Sequence, residues 1–140
     1  MDVERIFFKS DLFELEDNEE EETNPHIYGK QLASWLHDQL GNTGYIVEEI
    51  IPEDWGWYVM CQRDPYWLWV GCSSILESEP EAGKTPKKED IVWHCFATAE
   101  VPFFQRLFKH TNTTDGLSKL KVDLLEIIEN ENALEIVDEP

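Results

Sequence analysis

Positive charge is what this chain has least of: 11 Lys and Arg stand against 30 Asp and Glu, for a formal net charge of −19. Surfaces that bind nucleic-acid phosphate or anionic lipid are built from Lys and Arg, so direct binding to nucleic acid or to a membrane is disfavoured and a basic partner is favoured. The same imbalance also serves plain solubility. Long apolar runs are missing too, since none approaches the roughly 20 residues that cross a bilayer. Asp2 and Glu4 stand where a signal peptide would carry its positive region. A cytoplasmic location is the resulting expectation.

Cysteine is sparse. Cys61, Cys72 and Cys95 are odd in number and all lie in apolar, strand-like runs, which suits small buried hydrophobes in a reducing compartment better than disulfide partners. There is no Cys-x-x-Cys and no His-x-x-x-His spacing, so neither a metal nor a cofactor is expected. Glycine-rich phosphate loops and the Gly-x-Ser-x-Gly nucleophile turn are also absent.

Aromatic residues, by contrast, are concentrated in one stretch. Asp54 to Cys72 reads as two strands rich in aromatic and β-branched residues, broken at Gln62 to Pro65 by a polar, proline-containing turn. With the turn centred between Arg63 and Asp64, Cys61 lies opposite Tyr66, Val59 opposite Leu68 and Trp57 opposite Val70 on one face. Tyr58, Met60, Trp67 and Trp69 share the other. Both faces are apolar, whereas an antiparallel sheet commonly leaves one face polar, so both need cover. Helices on one side and loops or terminal segments on the other would supply it. The alternative leaves Tyr58, Trp67 and Trp69 partly exposed as a recognition patch.

The 140 residues suit one domain, with a core sizeable enough to need no disulfide or metal. Val3 to Phe8 reads as an opening strand, while Leu12, Phe13 and Leu15 form an apolar set of open type. Residues 16–24 are a self-repelling acidic run and read as a solvated loop, in which Glu19, Glu20, Glu21 and Glu22 can attract a basic partner. Asn24-Pro25 signals a helix entry, and Tyr28, Leu32, Trp35, Leu36 and Leu40 recur on one helical face from about Pro25 or His26 to Leu40. Gly41, Asn42 and Gly44 then end that helix.

Tyr45 to Ile51 reads as a strand stopped by Pro52, and residues 75–89 as a flexible surface loop whose Lys84, Lys87 and Lys88 moderate local repulsion. Ile91 to Ala97 is a strand apolar on both faces. Val101-Pro102 opens a short helix with Phe103, Phe104, Leu107 and Phe108 on its apolar side. Thr114 or Asp115 caps a further helix carrying Leu117, Leu120, Leu124, Ile127 and Ile128 to about Glu131. Leu134 to Val137 is a last, edge-type strand.

The run Tyr28-Gly29-Lys30-Gln31-Leu32-Ala33-Ser34-Trp35-Leu36, the later Pro52-Glu53-Asp54-Trp55-Gly56-Trp57 and the strand Leu68-Trp69-Val70-Gly71-Cys72 resemble a group of small bacterial proteins of unknown function. The likeness covers roughly Tyr28 to Val137. It implies a single α+β domain and carries no catalytic residues with it. The acidic stretch before Asn24 looks peculiar to this sequence.

Asp54-Trp55-Gly56-Trp57 has the most individual chemistry. Its structural role is a strand entrance, where Asp54 accepts backbone hydrogen bonds and Gly56 admits a close neighbour. A functional role would make Glu53 and Asp54 carboxylates of raised pKa beside an apolar surface. His94 sits beside Cys95 in a buried strand, but adjacent strand residues point to opposite faces, so the two make a poor dyad. His94 with Cys61 or Cys72 across strands is the remaining pairing, against a hydrogen-bonded core histidine.

The fold expected is therefore α+β, a single domain with an antiparallel sheet of about five or six strands and helices mainly on one face. The function expected is non-enzymatic: the acidic surface steers a basic protein, and Trp55, Trp57, Tyr58, Trp67 and Trp69 supply contact. An inhibitor, an immunity protein, a nucleic-acid mimic or a homodimer burying its second sheet face would share this profile. The other class is a small-molecule binder or enzyme with an aromatic pocket near Asp54 and His94.

Overall fold

Period-two alternation over short apolar stretches builds one antiparallel sheet. The computed structural model describes residues 4–108 and 110–140; Val3 and the Phe108 side chain, both named above, lie outside what is described. In chain order the elements are β1 (Ile6–Lys9), α1 (Glu19–Glu22), α2 (Lys30–Asn42), β2 (Ile51–Glu53), β3 (Gly56–Gln62), β4 (Trp67–Leu76), β5 (Ile91–Glu100), α3 (Phe103–Phe108), α4 (Thr114–Glu129) and β6 (Glu135–Val137). The six strands stand in the order β2-β3-β4-β5-β1-β6, each neighbouring pair antiparallel. The chain is thus α+β with a single sheet, and β6 closes one edge as its acidic flank suggests.

The central hairpin differs from expectation in register but not in facing. Val59 pairs with Val70 and Trp57 with Cys72, two residues beyond the expected partners, and an irregularity between Met60 and Gln62 brings Gln62 opposite Leu68. The turn is longer than two residues, because Gln62 Nε2 donates to the Tyr66 carbonyl at 2.9 Å and holds Tyr66 in the loop. A slip of two preserves alternation, so every side chain keeps its side.

One side carries the core. Phe8, Trp57, Val59, Val70, Trp93 and Cys95 meet Leu32, Leu36 and Leu40 of α2 and Leu120, Leu124 and Ile128 of α4. Each such Leu or Ile, removed from water, contributes about 1.5–3 kcal/mol. Phe13, left open by its sequence, inserts here, edge-on to Trp35 and Trp93.

Several boundaries depart from the sequence reading. Helix α2 begins at Lys30, four or five residues late, because its first amides are capped from outside: Glu19 Oε1 accepts the backbone N–H of Gly29 at 2.8 Å and of Lys30 at 2.7 Å. It runs through Gly41 to Asn42. The acidic stretch is consequently not a simple solvated loop, since it forms α1 and buries Glu19 to 2% exposure.

Residues 45–50 form no strand; only Ile51–Glu53 joins the sheet, with Pro52 inside it opposite Trp57. An edge strand tolerates a missing N–H, so proline there does not end the pairing. Strand β4 runs on to Leu76, shortening the surface loop at its front. In that loop Lys84 pairs with Glu81, and Lys88 reaches Glu14. The apolar side of α3 is not buried, for Phe103, Phe104 and Leu107 are all exposed.

Candidate functional site

The second sheet face is built from alternate residues of β1, β3, β4 and β5. Phe7, Met60, Val92 and Phe96 are buried there, yet none belongs to the cluster that α2 and α4 complete. Over Phe96 the cover comes from other aromatic rings. The key is Gly71, which faces Phe96 across the β4–β5 ladder. With no Cβ at that position the Phe96 ring lies across the neighbouring strand; a methyl group on Gly71 would run into it.

Trp55 folds onto this layer from the β2–β3 turn. Its carbonyl accepts a hydrogen bond from Ser73 Oγ at 2.5 Å. Its ring stacks on Trp69 with centroids 5.8 Å apart and stands 5.5 Å from Phe96. Tyr58 leans against Trp69 at 5.5 Å. Gly56, at φ 151°, makes the turn and passes close to the Cys72 carbonyl, where a side chain would collide. The close approach expected of Gly56 is therefore the structural role of the motif.

Around these rings lies a cleft of about 360 Å³, lined by Glu53, Trp55, Tyr58, Met60, Trp67, Trp69 and Glu100. Trp69 Nε1 donates to Glu100 Oε1 at 3.3 Å, holding one carboxylate at the rim. Tyr58, Trp67 and Trp69 are half-buried and Trp55 is 37% exposed, so their faces are only partly covered.

Trp57 does not belong with them. Alternation sends it to the helix side, where it is 2% exposed and Lys30 Nζ lies 5.4 Å from its ring centroid. It is a core residue, not a contact. Of the four glutamates expected to steer, Glu19 is buried as a cap, and Glu20 accepts the Tyr28 hydroxyl. Glu22 approaches Lys30 at 4.0 Å, and Glu21 is exposed.

No family model, curated protein or solved structure matches this chain.

Asp54 and His94 do not line the aromatic cleft. Asp54 is in the exposed turn, its carbonyl held by Asn24 Nδ2 at 3.1 Å. His94 lies opposite Ser73 on the same sheet face, packed on Phe7 at 5.5 Å, with Arg5 Nη1 donating to its Nδ1 at 3.2 Å. Burial, with the nearby Arg5 charge, lowers its pKa to about 4.

The thiols are on the opposite face: Cys72 faces Cys95 across the ladder, away from His94. Burial raises the Cys61 thiol to about 12, and those of Cys72 and Cys95 also rise, so none is poised as a nucleophile. Among the described residues no group of three or more His, Cys, Asp or Glu side chains is arranged to hold a metal ion.

The sequence reading passed over Glu100 and Phe96 as site residues and treated Glu53 only as a candidate acid. Alternation along β5 puts 96, 98 and 100 on one face and was a usable signal for Phe96. Nothing local pairs Glu100 with Glu53, because strand order alone brings β5 and β2 to the two sides of the β3–β4 hairpin.

Proposed function

We propose that this chain is a non-enzymatic interaction protein whose acidic surface steers a basic protein partner onto the aromatic face of its sheet. The observation that carries the reading is a patch of half-buried Trp and Tyr rings, edged by Glu53 and Glu100, on a chain of net charge −19. Exposed charge raises the rate of encounter, and large aromatics anchored in a rigid layer supply the contact energy afterwards, with hot-spot residues worth about 2 kcal/mol or more each. The two carboxylates choose the sign of the partner. They also oppose self-association through this face, where each copy would set like charges against like.

A ligand-binding or catalytic reading draws less support, because Asp54 and His94, the residues it needs, lie outside the cleft. The test is affinity capture from source-cell lysate with the tagged chain, alongside the double variant Trp55→Ala/Trp69→Ala checked by circular dichroism. A basic protein retained by the wild type, released by salt and lost from the folded variant is the expected result. Equal capture by both, or a stable dimer that shields the aromatic face, overturns the proposal.

A further inference from the structure

We infer that the cleft between Trp55, Tyr58, Trp67 and Trp69 is a cage for the ammonium group of a lysine side chain on the partner; this rests on the docking face proposed above and adds what that face recognises. Aromatic faces attract cations, most strongly where water is partly excluded, and a ring of them selects an alkylammonium head.

The face already holds cations of the chain itself. Arg5 lies 4.6 Å over the Phe96 ring, and Arg63 lies 5.2 Å over that of Trp67. Neither lines the cleft, and Arg63 is committed to Glu48 through a two-pronged ion pair at 2.8 and 2.9 Å. The cleft keeps two carboxylates, Glu53 and Glu100, with no basic side chain within 4.0 Å of either among the described residues. Trp69 Nε1 engages only one Glu100 oxygen, leaving the other to accept an N–H from a bound ammonium.

Shape separates lysine from arginine. A guanidinium is flat and suits the face of a single ring, and Arg63 lies over that of Trp67. Tyr58 stands at 57° to Trp69 while Trp55 stacks on Trp69 at 29°, so the cleft offers ring faces at two inclinations. That arrangement suits a compact, nearly spherical head. Met60 also lines the cleft but is only 3% exposed, so the lysine stem would lie along the partly exposed rings.

The test titrates the full chain with three probes: N-acetyl-lysine amide, its ε-trimethyl derivative, and N-acetyl-norleucine amide as the neutral analogue that lacks the ammonium group. The cationic probes are expected to saturate with shifts of the Trp55, Trp67 and Trp69 indole N–H signals, leaving that of buried Trp57 unmoved. Norleucine amide should bind at least tenfold more weakly, and Glu53→Gln/Glu100→Gln should weaken the lysine probe at least fivefold. Norleucine binding as tightly as lysine, or no saturable shift with any probe, overturns the cage. The carboxamide variant also goes through the capture experiment. A partner lost with Trp55→Ala/Trp69→Ala but fully retained by the carboxamide variant removes the cage and leaves the docking face. A partner indifferent to both variants removes the face as well.

Discussion

The ring of Phe96 lies across Gly71, its direct partner on the neighbouring strand, in the space a side chain would occupy. That one contact fixes the height of the aromatic layer, because Trp55 and Trp69 rest against the same Phe96 ring at 5.5 and 5.9 Å. Gly71→Ala should therefore destabilise the fold by about 1–3 kcal/mol through overpacking, although alanine is the better strand former. The near-ultraviolet circular dichroism of the tryptophans should change with it. Unchanged stability and an unchanged aromatic spectrum would refute this.

Glu19 holds the entry to α2 by accepting two backbone amides, so Glu19→Ala leaves them unpaired in a buried place. The expected loss is about 1–3 kcal/mol in urea unfolding. Glu21→Ala, on the exposed side of the same short helix, should stay within about 0.5 kcal/mol of the wild type. Equal effects from the two would show that the acidic run acts only through its total charge.

His94 should make the fold sensitive to acid. Burial, then the charge of Arg5, holds its pKa at about 4 when folded, against an ordinary 6.5 in the unfolded chain. The unfolded state therefore takes the proton first. Above the unfolded value His94 contributes no pH dependence; stability falls as pH drops from 6.5 toward 4, by on the order of 3 kcal/mol in total. Carboxylates titrate in the lower part of that range, so the informative quantity is the difference from His94→Gln, whose profile should be flatter. Identical slopes would mean that His94 is solvated in the folded state.

Trp57 and Trp69 sit on opposite faces of the same hairpin and should respond differently to truncation. Trp57→Ala removes a core ring and should cost about 3–5 kcal/mol. Trp69→Ala should leave a folded domain with weakened partner capture, read by thermal unfolding and by the pull-down together. A Trp69→Ala chain that unfolds as readily as Trp57→Ala would assign both rings to structure.

Alternation in the hairpin was legible because it depends only on counting. The register moved by two residues, yet Tyr58, Met60, Trp67 and Trp69 still share a face. The helical faces of α2 and α4 were equally readable from three-and-four spacing, which specifies a side of a cylinder without naming what it meets. Helix entry was less so. Asn24-Pro25 looks like a start, but the amides of α2 are satisfied by a carboxylate ten residues upstream of Gly29, and in a run of identical glutamates nothing marks which one turns inward.

The chain's sequence by itself determined its acidity, its α+β class and the side of the sheet on which each hairpin residue falls, because charge is a sum and side-chain direction follows local periodicity. Tertiary structure alone decided that Trp57 is core while Trp55 folds onto the open face, that Phe103 and Phe104 stay exposed, and that Glu53 and Glu100 meet at one cleft. Those outcomes depend on which strands pair and where a turn folds back, and pairing between distant segments is settled by packing over the whole sheet.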